Sequence, residues 1–134
     1  MKPEIFWLAI TAMMTGLFFI PYVLDRIAVR GIWGTLKNPG SEDQPLHDWA
    51  QRAQRAHYNA VENLVVFAAL VAAAQFAGIS DEITVLGCIL YFWARLAHYI
   101  IYTLGIPGLR TLSFAVGVVG EVLIAIALIR MFSL

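Results

Sequence analysis

Long uncharged apolar runs, separated by short polar stretches, divide the chain into four parts. Ile5 to Leu24 supplies 20 residues without a charge, about the length a helix needs to cross the hydrocarbon of a bilayer. Pro21-Tyr22-Val23-Leu24-Asp25-Arg26 closes the run, where a secretory leader would carry a small-residue cleavage site. The run therefore reads as a retained span, kinked or loosened near its end by Pro21. Asn63 to Ser80 is the second uncharged run. The polar stretch before it, Asp48 to Glu62, holds no glycine or proline. One long helix is expected from Leu46–Asp48 onward, extending well outside the hydrocarbon, with Pro45 where a first-turn proline would stand.

Ser80-Asp81-Glu82 reads as a cap followed by acidic residues in the first turn of a third helix. Ile83 to Leu104 is the third span, interrupted by Arg95 and His98. Gly105-Ile106-Pro107-Gly108 is a turn. Thr111 to Ile129 is the fourth span, interrupted by Glu121. The pattern predicts one membrane domain, residues 1–134, with helices at about 4–26, 47–78, 81–104 and 109–132 and a loop over 30–46. Trp7, Trp33, Trp49 and Trp93 are available as interfacial anchors. No stretch alternates with period two over the length of a barrel strand.

Composition agrees with this reading. Of 134 residues, 60% are hydrophobic and 13% charged, and the net charge is zero. A chain so small and so apolar has too few polar groups to cover a water-exposed surface. Disorder is excluded on the same ground, and without a basic tract nucleic acid is not an expected partner. A single cysteine, Cys88, rules out an intrachain disulfide. The fold class is all-α, an integral-membrane four-helix bundle. Arg26, Arg30, Lys37, Arg52 and Arg55 gather around the first connection, whereas Gly78 to Glu82 carries only acids. The positive-inside rule places the first loop in the cytoplasm and both termini outside. A multi-pass protein of a bacterial inner membrane is the expected setting.

Charges inside spans are costly and mark functional candidates. On the second helix Arg52, Arg55, Asn59 and Glu62 recur at helical spacing. Tyr91, Arg95, His98 and Tyr102 do so on the third, and Arg110, Phe114, Gly117 and Glu121 on the fourth. Three polar faces are expected to converge on a basic cavity near the cytoplasmic interface, suited to an anionic small molecule with carboxylates and amides. A purely structural reading competes, in which Glu62 neutralises Arg55 or Arg95. Arg110 opens a helix, where a cation opposes the dipole, so a ligand or neighbouring subunit is expected to offset it. Glu121, beside Gly117 and Gly120, is either a protonated packing residue at a close helix contact or a counter-ion to Arg95. His57 points away from the arginine stripe, His47 is a loop residue, and His98 has no metal-ligand partner at spacing 3 or 4, so no metal is assigned. Cys88 reads as inert core. No serine elbow, phosphate loop or HExxH motif occurs, which leaves the nucleophile of any catalysis to a cosubstrate.

Arg52-Ala53-Gln54-Arg55-Ala56-His57-Tyr58-Asn59-Ala60-Val61-Glu62-Asn63 resembles the signature of the MAPEG family, the membrane-associated proteins of eicosanoid and glutathione metabolism. Arg95 and His98 with Tyr102 are similar to a stretch of the family's prostaglandin E synthases, as is the Arg110-Thr111 pair opening the last span. The resemblance implies a homotrimer with glutathione as cosubstrate, bound between protomers near the cytoplasmic side. It implies that Arg110 faces the thiol, with Thr111 as an auxiliary donor. Asn59, Glu62, His98 and Tyr102 would line or brace the tripeptide, Arg55 and Arg95 would support it, and Arg26 or Arg30 would reach in from a neighbour. The implied activity is that of a glutathione transferase or peroxidase acting on lipophilic electrophiles that arrive from the membrane lipids. Two positions depart from the prostaglandin E synthase pattern. Tyr58 stands for an arginine and Phe114 for a tyrosine, each with loss of a polar contact. The alternative is a non-enzymatic trimer that binds a lipid or another anion in the same cleft.

The orientation is directly testable. A Ser41→Cys probe in the first loop is expected to stay unlabelled by an impermeant maleimide until the membrane is opened. Labelling from the outer face of intact cells would reverse the topology.

Overall fold

The computed structural model describes residues 1–133. The first span is a bent rod made of α1 (Pro3–Leu17) and α2 (Ile20–Leu36), followed by α3 (Asp48–Phe76), α4 (Glu82–Leu104) and α5 (Pro107–Phe132). Four stretches, with α1 and α2 counted as one, are long and apolar enough to cross a membrane. No strand occurs among the described residues. The protein is an all-α, multi-pass membrane bundle.

Pro21 explains the bend. It has no N–H, and its ring excludes the carbonyl four residues back, so α1 stops at Leu17. The break exposes the Phe18 carbonyl, which accepts the Tyr99 hydroxyl at 2.8 Å. The Phe18 and Tyr99 rings stack above this bond with centroids 3.9 Å apart. The first span is thereby attached to α4 where its own ladder fails.

Helical structure continues past the expected end near residue 26 and reaches Leu36. Gly31 interrupts it with φ 72° and ψ 174°, a conformation that glycine adopts without steric penalty. The following loop is tied down by charge. The Arg30 Nε–H donates to the Gln44 carbonyl at 2.7 Å. Asp43 pairs with Lys37 at 3.1 Å and with Arg30 at 3.6 Å. The Gly40 N–H, then Lys37 and Arg30, hold the Asp43 carboxyl below the usual range. Buried Asp25 accepts the His47 backbone N–H at 3.0 Å and faces His47 Nδ1 at 2.6 Å. His47 is thus the pin that closes the loop onto α2.

The long helix α3 buries Ala50, Ala53, Ala56 and Ala60 in one row. These small side chains let it approach Phe18, Tyr22 and Tyr99 closely. Further along, Phe67, Val71 and Ala74 pack on Cys88, Tyr91 and Ile124. Phe67 stacks on Tyr91 with ring centroids 3.9 Å apart. At the far end Asp81 caps α4 in a reciprocal box with Thr84. Buried Glu4 of α1 accepts the Thr84 hydroxyl at 2.6 Å and the Ser80 hydroxyl at 3.1 Å.

The most intimate helix pair is α4 with α5. A Cβ at Gly87 would stand 2.6 Å from the Gly120 carbonyl oxygen, and one at Gly120 would stand 2.6 Å from that of Gly87. The backbones touch there, as small residues in membrane helices permit. Gly120→Val is therefore expected to force the helices apart. Overpacking costs about 1–3 kcal/mol, readable as a lower melting temperature in detergent. Gly16→Ala, where nothing lies within 4 Å of the added carbon, is the matched control and should hold or raise stability.

Candidate functional site

The N-terminal part of α3, the last turns of α4 and the first turns of α5 meet at the end of the bundle that carries the long loop. α4 ends at Gly105, left-handed at φ 78°. The Ile106 N–H returns to the Ile101 carbonyl at 3.2 Å, closing the helix end. Arg52 of α3 completes this turn. Its Nε–H donates to the Thr103 carbonyl at 3.0 Å, and its guanidinium would lie 3.1 Å from a Cβ at Gly105. Glycine is needed there for both conformation and space. Arg52 thus caps α4.

Two small cavities flank the turn. One, of about 210 Å³, is lined by Asn59, His98, Tyr102, Arg110, Thr111 and Phe114. The other, of about 150 Å³, lies between Arg52, Arg110, Tyr102 and the 105–107 turn. Arg110 and Tyr102 form the shared wall, with the guanidinium carbon 4.8 Å from the ring centroid. This cation–π contact holds the arginine without neutralising it. Among the described residues no carboxylate lies within 4 Å of Arg110.

Asn59 joins the cleft to the span interior. Its Oδ1 accepts Arg95 Nη2 at 2.6 Å. Arg95 itself is 2% exposed and lies 5.8 Å from the Phe114 ring centroid. His98 is buried between Tyr102 and Phe114, with centroid distances of 5.6 and 6.1 Å. Its Nδ1 has no partner. The cleft therefore offers one arginine, one imidazole, one amide and two hydroxyl groups, with no acid in its lining.

The structure brings together Asn59, His98, Tyr102, Arg110 and Thr111, with Arg95 behind Asn59. It sets Arg55 and Glu62 apart, both exposed on another part of the α3 surface. At 3.6 residues per turn these two lie roughly 40–80° around the helix from Arg52 and Asn59, enough to leave the cleft. The competing structural reading, Glu62 paired with Arg55 or Arg95, is not realised among the described residues. Among the described residues the ion pairs are Arg30–Asp43, Lys37–Asp43 and His47–Asp25. Arg30 is committed to the loop, and Arg26 has a buried, unpartnered Nε away from the cleft lining. His57 accepts or donates a 2.8 Å bond with the Tyr22 hydroxyl and serves packing. Tyr58 is 55% exposed, with its hydroxyl accepting from Gln54 at 2.9 Å. Asp25 and Glu4 are the two buried acids of the first span, and neither stands in the helical stripes that mark the candidate site. The signal available for both is an acid in or beside an apolar run.

The fold and cleft define an integral-membrane helical bundle with a basic cleft at one end. The MAPEG family model matches residues 5–130, and the chain belongs to that family. Its members include glutathione transferases and related proteins. Searches of curated proteins and of solved structures return no significant match.

The role of Arg52 in shaping the cleft has a simple test. Arg52→Ala removes a hydrogen bond to a charged donor, a loss of about 1.5–3 kcal/mol. A lower melting temperature is expected, partly restored in Arg52→Lys. An unchanged melt would show that the α4–α5 turn stands without it.

Proposed function

We propose that the protein is a membrane-bound glutathione transferase or peroxidase that acts on lipophilic electrophiles. The observation that carries this reading is Arg110, seated over Tyr102 in the cleft with no acid beside it. A cation held this way awaits a negative group. A thiol has a pKa of about 8.5 and is mostly protonated at neutral pH, and a neighbouring guanidinium shifts it toward the nucleophilic thiolate. Family membership supports glutathione as the thiol.

In this reading the tripeptide carboxylates meet donors of the cleft, among them the amide of Asn59 and the hydroxyl of Tyr102. The thiol proton passes to solvent and Arg110 stabilises the sulfur anion. Thr111, on the cleft rim, adds a hydroxyl. The sulfur then bonds to the electrophilic atom of the substrate while that atom's leaving group takes the displaced electron pair. The lipophilic partner arrives laterally, since the outer helix faces carry exposed leucine, isoleucine and valine.

Self-association belongs to the same proposal. A cavity of about 210 Å³ is smaller than the roughly 300–1,000 Å³ of ordinary ligand sites. A tripeptide therefore needs further walls. The exposed charges Arg55 and Glu62 on α3, costly toward lipid, fit a contact between copies. A homotrimer with cytoplasmic clefts is the arrangement we infer. The second reading, a non-enzymatic binder of a lipid or other anion, draws on Phe114, an apolar ring in the cleft wall.

Calorimetric titration of glutathione into the purified protein decides between them. Wild type is expected to bind and to show the thiolate absorbance. Arg110→Ala should bind only modestly less well, yet lose the absorbance and most turnover. Arg110→Lys keeps charge without the planar fork and should retain part of the activity. Normal turnover in Arg110→Ala overturns the thiolate role, and absence of binding by wild type moves the assignment to the lipid-binding reading.

A further inference from the structure

Two buried polar atoms without partners lie on the two helices of one seam. Arg95 on α4 uses Nη2 on Asn59, while its Nε has no partner. On α5, Glu121 buries Oε1 without a partner. Gly117, one turn before Glu121, leaves room for the arginine stem, since a Cβ there would stand 3.5 Å from Arg95 Cδ. Tyr91, one turn before Arg95, lies against Gly120, whose Cβ would come 3.3 Å from that of Tyr91. Its hydroxyl is a third buried atom without a partner.

The three groups are complementary. An arginine N–H only donates, a carboxylate oxygen only accepts, and a phenol does both. The other acids are engaged or exposed. Glu4 serves Thr84 and Ser80, Asp81 caps α4, Asp25 and Asp43 hold the loop, and Glu42, Asp48, Glu62 and Glu82 are exposed. A guanidinium buried in a span is expensive without a counter-charge.

We propose that Glu121 is the ionised counter-ion of Arg95 across the α4–α5 seam, at more than the 4 Å of a direct ion pair, and acts as a positioning residue for the cleft. With Arg95 fixed, Asn59 Oδ1 stays engaged and its amide N–H₂ is presented as a donor to the ligand. The helix that carries Arg110 thereby also carries the group that orients Asn59. The ligand side of this inference rests on the glutathione reading above, whereas the charge state of Glu121 does not.

Infrared spectroscopy on protein labelled with ¹³C-glutamate tests the charge directly. The expected result is that no protonated carboxyl band of the wild type is lost in Glu121→Gln. In Arg95→Gln a new protonated band should appear and vanish in the Arg95→Gln/Glu121→Gln double variant. A wild-type protonated band that disappears in Glu121→Gln would overturn the proposal. Should Glu121→Gln not fold, Glu4→Gln removes the other buried glutamate, and any protonated band left in the span would overturn it equally. For the positioning role, Glu121→Gln is expected to weaken glutathione binding about three- to tenfold. Unchanged affinity in that variant would overturn that role. If wild type binds no glutathione, the glutathione reading falls and the infrared result alone decides whether Glu121 is the counter-ion.

Discussion

A guanidinium inside a membrane span must be desolvated, hydrogen-bonded and balanced in charge, and much of this bundle is arranged around one such group. Arg95 is almost fully buried where α3, α4 and α5 meet. α3 supplies the Asn59 oxygen, and α5 supplies the Phe114 ring face. Gly117 supplies the space for its stem. The contacts reach a side chain of α4 from both α3 and α5, so the register of all three helices is coupled to that one residue. Lipid offers no alternative partners for such a group, which makes these contacts exacting rather than merely favourable.

Close packing elsewhere follows from small residues, because the hydrophobic effect does not drive one helix onto another inside lipid. Gly87 and Gly120 bring the backbones of α4 and α5 into contact, and the alanine row of α3 brings the first span in. Polar bonds then fasten the ends. Glu4 joins α1 to the start of α4, Asp25 and His47 close the loop on α2, and Arg52 holds the turn between α4 and α5. The cleft lies beside this last fastening. Its shape therefore derives from a capped helix end rather than from a mobile loop, which gives the Arg110 guanidinium a defined seat.

The MAPEG match spans all the residues that line the cleft. The family includes glutathione transferases and related proteins, and the cleft holds a cation with no acid beside it. The small volume enclosed by one protomer and the outward charges of α3 both direct attention to a second copy of the chain.

Much of this was legible in the sequence. Uncharged runs of membrane length set the four spans, Pro21 sets the bend, and Asp81 with its following turn sets the start of α4. Gly117 and Gly120 mark a close helix contact, which the Gly87–Gly120 approach realises. Helical phase also gathers His98 with Tyr102 and separates His57. Phase within one helix does not say where its neighbours stand, however. The α3 stripe could not by itself reveal that Asn59 enters the cleft while Arg55 and Glu62 leave it. Nor could it show that Arg30 is spent on Asp43, or that Glu4 meets Thr84 from the far end of the chain. Lengths, caps and breaks are local consequences of residue type and backbone chemistry, and the sequence alone determined them. The partner of each buried charge depends on the azimuth and depth of other helices, and only the tertiary structure decided it.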